Sequence, residues 1–103
     1  MKLRYTPAAI CDIDEIIDYM SHTLMNPEAA RRIVSALARD CARLKEQPNL
    51  SMELRKKTGR ELDGRCVISG QYMVIYEVTD AVSILRVLDT RMDMIKILME
   101  PSS

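Results

Sequence analysis

The sequence has no tryptophan and no phenylalanine, so any aromatic packing or chemistry falls to four tyrosines. Neither charge sign is in excess, with 15 Lys plus Arg against 15 Asp plus Glu, which removes any global pull toward nucleic acid or an anionic membrane. No apolar run is long enough to span a bilayer. The opening residues MKLRYTPAAICDIDE hold no secretory h-region, because acids arrive by Asp12. These absences predict a cytoplasmic protein that does not engage membranes. The cysteines are only three, Cys11, Cys41 and Cys66, with no Cys-x-x-Cys pair, and the single His22 is near none of them. Such spacing excludes the usual zinc ligand sets and predicts neither a metal nor another cofactor. The simplest reading is three small buried thiols in a reducing compartment.

What is present reads as one domain over residues 1–103, since 48% apolar and 29% charged content is that of a globular chain. Residues 2–6 (KLRYT) form a candidate strand. Thr6-Pro7 then supplies a cap and a first-turn proline. Ile10, Ile13, Ile17, Met20 and Leu24 follow at spacings of three and four and predict a first helix with one apolar stripe. Asp12, Asp14, Glu15 and Asp18 are expected on its solvated face. Asn26, Pro27 and Glu28 start a second helix that stops before Pro48. Its stripe is Ile33, Val34, Leu37, Cys41 and Leu44, and its polar face is basic, with Arg31, Arg32, Arg39, Arg43 and Lys45. An acidic helix joined by a few residues to a basic one predicts an antiparallel hairpin. That geometry puts Cys11 and Cys41 toward the same end, where oxidation would allow a disulfide.

Residues 48–64 lack periodicity and carry Arg55, Lys56, Lys57 and Arg60. A loop this long in so small a domain is often functional, and a helical turn around SMELRKK is one option. The cations would meet phosphate or an acidic partner, or simply be solvated. Three strands follow, at 65–69, 72–78 and 82–89, with turns at Ser69-Gly70-Gln71 and Thr79-Asp80-Ala81. The expected class is α+β: an N-terminal strand, an antiparallel helical hairpin and a three-stranded antiparallel meander, with the helices on one face of a small antiparallel sheet.

Alternation puts Tyr72, Val74, Tyr76 and Val78 on one sheet face and Met73 and Ile75 on the other. The same rule groups Val82, Ile84, Arg86 and Leu88. Two helices cover one face. The other predicts surplus apolar surface, closed either by a partner chain or by the tail with Met94, Ile95, Ile97, Leu98 and Met99. Tyr72 and Tyr76 read as packing residues with polar tips. Arg86 either reaches a partner's carboxylate or lays its stem on the sheet with its head in water. Arg91 and Asp93 are spaced for a local ion pair.

The ordered set RYTPAAICDIDEIIDYM, NPEAARRIV, Gly70-Gln71-Tyr72, Arg86-Val87-Leu88 and Arg91-Met92-Asp93 resembles the RelE/ParE superfamily of type II toxin–antitoxin toxins, over about residues 3–98. The resemblance implies the β-α-α-β-β-β fold and a bacterial growth inhibitor neutralised by a cognate antitoxin. Met73 stands where the ribonuclease branch usually has Arg, and no Tyr follows Tyr76. The likeness is therefore nearer to ParE, the plasmid-stabilising branch, whose members poison DNA gyrase by binding. The alternatives it implies are a ribosome-dependent mRNA endonuclease, with Arg65, Arg86 and Arg91 as its cations, and a toxin fold that has lost toxicity. Tyr72, Tyr76, Arg86, Arg91, Asp93, Met94, Ile97 and Leu98 are the residues expected to meet antitoxin or target. A homo- or hetero-oligomer is compatible with all three.

Overall fold

The computed structural model of the chain describes residues 2–48, 52–53 and 65–91. Strand β1 (Lys2–Tyr5) leads at once into helix α1 (Pro7–Asp18). Thr6 makes this junction. Its hydroxyl accepts the Ala9 N–H at 3.2 Å and donates to the Leu85 carbonyl at 2.9 Å, so one side chain both caps the helix and ties it to the sheet. A π-helical turn, Tyr19–Thr23, continues α1 and leads through Leu24 and Met25 to helix α2 (Pro27–Glu46). Asn26 caps α2 by accepting the Ala29 N–H at 3.1 Å. Both predicted caps are in place.

Met25 holds a left-handed backbone at φ 54°, which a side chain with a Cβ adopts only at a cost. We expect Met25→Gly to gain about 1 kcal/mol of stability and Asn26→Ala to lose about 1 kcal/mol. Urea midpoints of the two variants, with shifts of opposite sign, check both.

The sheet has the order β1-β5-β4-β3-β2, where β2 is Met52–Glu53, β3 Arg65–Ser69, β4 Tyr72–Val78 and β5 Ala81–Asp89. Strands β3, β4 and β5 form the predicted antiparallel meander. Gly70 takes φ 61° in the tight turn that delivers Tyr72. The sheet as a whole is mixed, not antiparallel, because β1 runs parallel to β5. Between those two strands the chain crosses the helical layer, which is what lets it re-enter the sheet in the same direction. The helical turn considered for SMELRKK is not found at Met52–Glu53, which pairs with Arg65 and Cys66 as a short edge strand. Residues 54–64, including Arg55, Lys56, Lys57 and Arg60, lie outside the described residues.

Two apolar clusters flank the sheet. On the helical side Tyr72, Val74, Tyr76, Val82, Ile84 and Val87 pack with Ala9, Leu37, Cys41 and Leu44. On the other side Cys66, Met73, Ile75 and Leu88 meet one another, with Leu85 against them. The split predicted for β4 holds. That for β5 does not. Tyr76 pairs with Ile84, yet Ile75 pairs with Arg86, so Leu85 is an extra residue that inverts the alternation. Leu88 therefore belongs with Met73, while Val87 joins Val82 and Ile84.

The anticipated surplus of exposed surface on the second face is also corrected. Met73, Ile75 and Leu88 are buried there, with at most 4% of their surface accessible. Ile68, paired with Met73 on that face, stays exposed; the other exposed large apolar side chains among the described residues are Ile10 and those of the interhelical corner, Tyr19, Leu24 and Met25.

The stripe predicted for α1 is rotated. Ala9 and Asp12 face inward, with Ile13 and Ile16 packed against the core, while Ile10 is 49% exposed. Small Ala9 lets the helix axis approach the sheet. The π turn then adds a residue to the helical repeat and carries Leu24 off the stripe. Cys11 is exposed and Cys41 buried, and neither is in a disulfide, so Cys11 departs from the expected buried thiols. Cys41 instead sits against the Tyr5 hydroxyl, and burial pushes both groups' pKa values up.

Candidate functional site: a groove between the first helix and the end of the meander

The bulge at Leu85 and the inward turn of Asp12 together build a three-bond polar contact between α1 and β5. Asp12 is 9% exposed. Its carboxylate accepts the Arg86 Nε–H at 2.7 Å, the Arg86 Nη2–H at 3.0 Å and the Val87 backbone N–H at 3.0 Å. This bidentate fork raises the Arg86 pKa against the opposing effect of burial. The expectation that Asp12 is one of a solvated acidic row is therefore wrong for this residue. Its signal in the sequence was its place three residues after Ala9 and four before Ile16, on the inward face. The head of Arg86 is not simply solvated: it reaches back to α1 and finds a carboxylate of its own chain.

A second pair closes the end of β5. Arg91 donates to Asp89 from Nη2 at 2.7 Å and from Nε at 3.0 Å. The expected partner Asp93 lies outside the described residues, and Asp89 takes its place because a bend at Thr90 turns the Arg91 N–H onto Asp89 Oδ1 at 2.9 Å. The hydrogen bonds from Arg91 hold the Asp89 carboxyl below its ordinary range. A depressed folded-state pKa means that the pair's contribution is complete above the unfolded value, about pH 4. It is lost as pH falls further, through the folded value. Asp89→Asn is expected to lower the urea midpoint slightly near neutral pH, and the difference from the parent chain should close as pH falls below about 4.

Between these pairs runs a groove of about 580 Å³. Asp12, Glu15 and Ile16 of α1 form one wall, and Tyr19, Met20 and Leu24 extend it. Gln71, Tyr72, Arg86, Val87, Leu88, Asp89 and Arg91 form the other. Tyr72 is 6% exposed, and its hydroxyl accepts from the Gln71 side-chain amide at 3.1 Å.

Of the residues predicted from sequence, Tyr72, Arg86 and Arg91 meet in this groove. Tyr76 does not: it is fully buried, and its hydroxyl donates to the Pro48 carbonyl at 2.7 Å. Arg65 begins β3 and pairs in register with Tyr76. That is four residues along β4 from Tyr72, roughly 13 Å at the usual strand rise. Asp93, Met94, Ile97 and Leu98 lie outside the described residues. Sequence reading did not single out Glu15, Tyr19, Leu24, Gln71 or Asp89 as groove residues. Among the described residues no cluster of His, Cys, Asp and Glu is suited to a metal ion, and no helix is long and apolar enough to cross a membrane.

Residues 3–94 match the family model described as ParE toxin of type II toxin-antitoxin system, parDE. Among solved structures the chain is similar to one described as the chromosomal ParDE TA system from P. aeruginosa, with a TM-score of 0.71 and 24% identity. That match covers 86% of this chain and 95% of the other. No curated protein matches in sequence.

Proposed function

The chain belongs to the ParE toxin family of type II toxin–antitoxin systems, and from that premise we propose that it is a growth-inhibiting toxin, neutralised by a cognate antitoxin, that acts by binding DNA gyrase as a single domain in the cytoplasm. The observation that carries the binding mechanism is the state of the arginines. Cleaving RNA through its 2′-hydroxyl needs cations free to meet the developing phosphorane charge, with a base and an acid nearby. Here Arg86 is forked onto Asp12 and Arg91 onto Asp89. Arg65 lies two strands away from Arg86, one residue out of line with it, and at the opposite end of β4 from Asp89 and Arg91. A ribosome-dependent endonuclease using these three residues finds no support in that arrangement. A groove with apolar walls and arginines already paired within the chain suits a bound polypeptide instead.

Expression of the chain in a bacterial host tests the proposal. Gyrase poisoning predicts the DNA-damage response and filamentation while translation continues, with rescue by co-expressed antitoxin. Early arrest of protein synthesis with cut transcripts would replace this reading by the endonuclease. Absence of any growth defect would leave a toxin fold without toxicity. Replacing Arg65, Arg86 and Arg91 together by Ala separates the first two outcomes further. A binding toxin whose variant still folds keeps part of its effect, whereas an enzyme reliant on those cations loses all of it.

A further inference from the structure

The two helices present opposite charges to solvent. On α1, Cys11, Asp14 and Asp18 are exposed at spacings of three and four, which makes them one outward row. Ile10, 49% exposed, lies beside that row. No basic residue occurs on α1. On α2 the outward row holds Arg32, Arg39 and Arg43, all exposed and opposite the buried Leu37, Cys41 and Leu44. Glu28 and Glu46 lie at its two ends.

These charges meet little counter-charge within the chain. Among the described residues no ion pair joins α1 to α2, and none includes Asp14, Asp18 or Arg32. Arg39 and Arg43 reach only Asp40, each at 3.9 Å. That carboxylate already accepts the Ser69 hydroxyl at 2.6 Å. Because α1 and α2 pack against each other, the hairpin has an outer face that is acidic along one side and basic along the other.

Such a face is complementary to itself. Turned by a two-fold axis along the hairpin, a second copy lays its α1 over the first copy's α2 and receives the reverse contact in return. Asp14 and Asp18 close α1, and Arg32 lies in the first turns of α2, so both signs stand near the interhelical corner and come level across the axis. The two corners meet as well, each with a 79% exposed Met25. A nucleic acid would attract α2 and repel α1, and a basic partner would do the reverse. With 15 cationic against 15 anionic residues, two copies have no net repulsion to overcome.

We propose that the outer face of the helical hairpin is a self-association surface, on which a second copy of this chain docks α1 against α2 in a two-fold dimer. Asp12 and Ile16, which line the groove, are each two residues from Asp14 and Asp18 and so point to the opposite side of α1. The dimer therefore leaves the groove open, and the inference stands apart from the toxin reading.

Sedimentation equilibrium of the purified full chain tests this. At low salt we expect a monomer–dimer equilibrium with a Kd on the order of 10 µM, weakening about tenfold as salt rises from roughly 0.05 to 0.5 M. Two variants exchange the charges. Asp14→Lys with Asp18→Lys turns the outward row of α1 basic, and Arg32→Glu with Arg39→Glu turns that of α2 acidic. All four positions are exposed, so the fold survives. Each variant alone should be monomeric, whereas an equal mixture should form the mixed dimer, because both contacts are then restored with their signs exchanged. A parent chain that stays monomeric at low salt, a dimer indifferent to salt or to either exchange, or a mixture that fails to associate would each overturn the proposal. So would a monomer that binds a DNA duplex through Arg32 and Arg39, since that face would then belong to nucleic acid.

Discussion

Asp12→Ala is expected to cost the domain about 3 kcal/mol, because it strands a half-buried guanidinium and the buried Val87 backbone N–H together. The three hydrogen bonds to this carboxylate, all between 2.7 and 3.0 Å, come from Arg86 and Val87, on the strand across from α1. For a domain of this size that loss lowers the melting temperature by roughly 15 °C. Arg86→Ala should cost less, because Asp12 keeps the Val87 N–H and Arg86 is the more exposed partner, at 31% against 10% for the two side chains. In a double-mutant cycle the two changes should fall short of additivity by about 1–2 kcal/mol. A coupling near zero in thermal or urea melts would mean that the fork is not formed in solution. The pair also positions the site. It pins the middle of α1 to the bulged strand, and the groove opens between those two elements. A polypeptide that occupies the groove should therefore bind Asp12→Ala protein poorly, even at temperatures where that protein remains folded.

The second large effect concerns Tyr76, where ring and hydroxyl can be separated. Tyr76→Ala is expected to cost about 4 kcal/mol, the usual price of an aromatic-sized cavity in a closed core. Tyr76→Phe keeps the ring and loses the donation to the Pro48 carbonyl, for about 1 kcal/mol. Urea melts of both variants decide the matter. Comparable losses would show the hydroxyl, not the ring, to be the stabilising part. The hydrogen bond lies just past the C-terminus of α2, so Tyr76→Phe should also loosen the last helical turn, visible as faster amide exchange at Gln47 and its neighbours.

Some of these features were legible in the residues and some were not. Tyr72 and Tyr76 share a strand, and alternation alone placed both on one face of the sheet, which the structure shows to be the helical one. It could not tell a groove residue from a core residue, since that depends on what stands opposite each ring. Tyr72 sits at the open end beside Gln71, whereas the end of α2 closes over Tyr76. Arg86 illustrates the same limit. Its apolar neighbours on β5 announced an unusual arginine, but its carboxylate lies 74 residues earlier in the chain. Asp12 carried the better signal, an acid on the Ala9–Ile16 face. The Ile10 stripe outweighed it, because a count of apolar residues favours large side chains over the small one that permits close approach.

Sequence by itself determined the order of the elements, the caps at Thr6 and Asn26, the tight turn at Gly70, the meander and the family likeness. Each is written in a few adjacent residues or in a period, and local backbone sterics and amphipathicity read such patterns directly. Tertiary structure alone decided that β1 lies parallel to β5, that Leu85 shifts the register, that Met73, Ile75 and Leu88 on the second sheet face are buried and that both groove arginines are matched. Each of these depends on which distant groups share one low-dielectric space, where a charge left without its counterpart costs more than any local propensity can return.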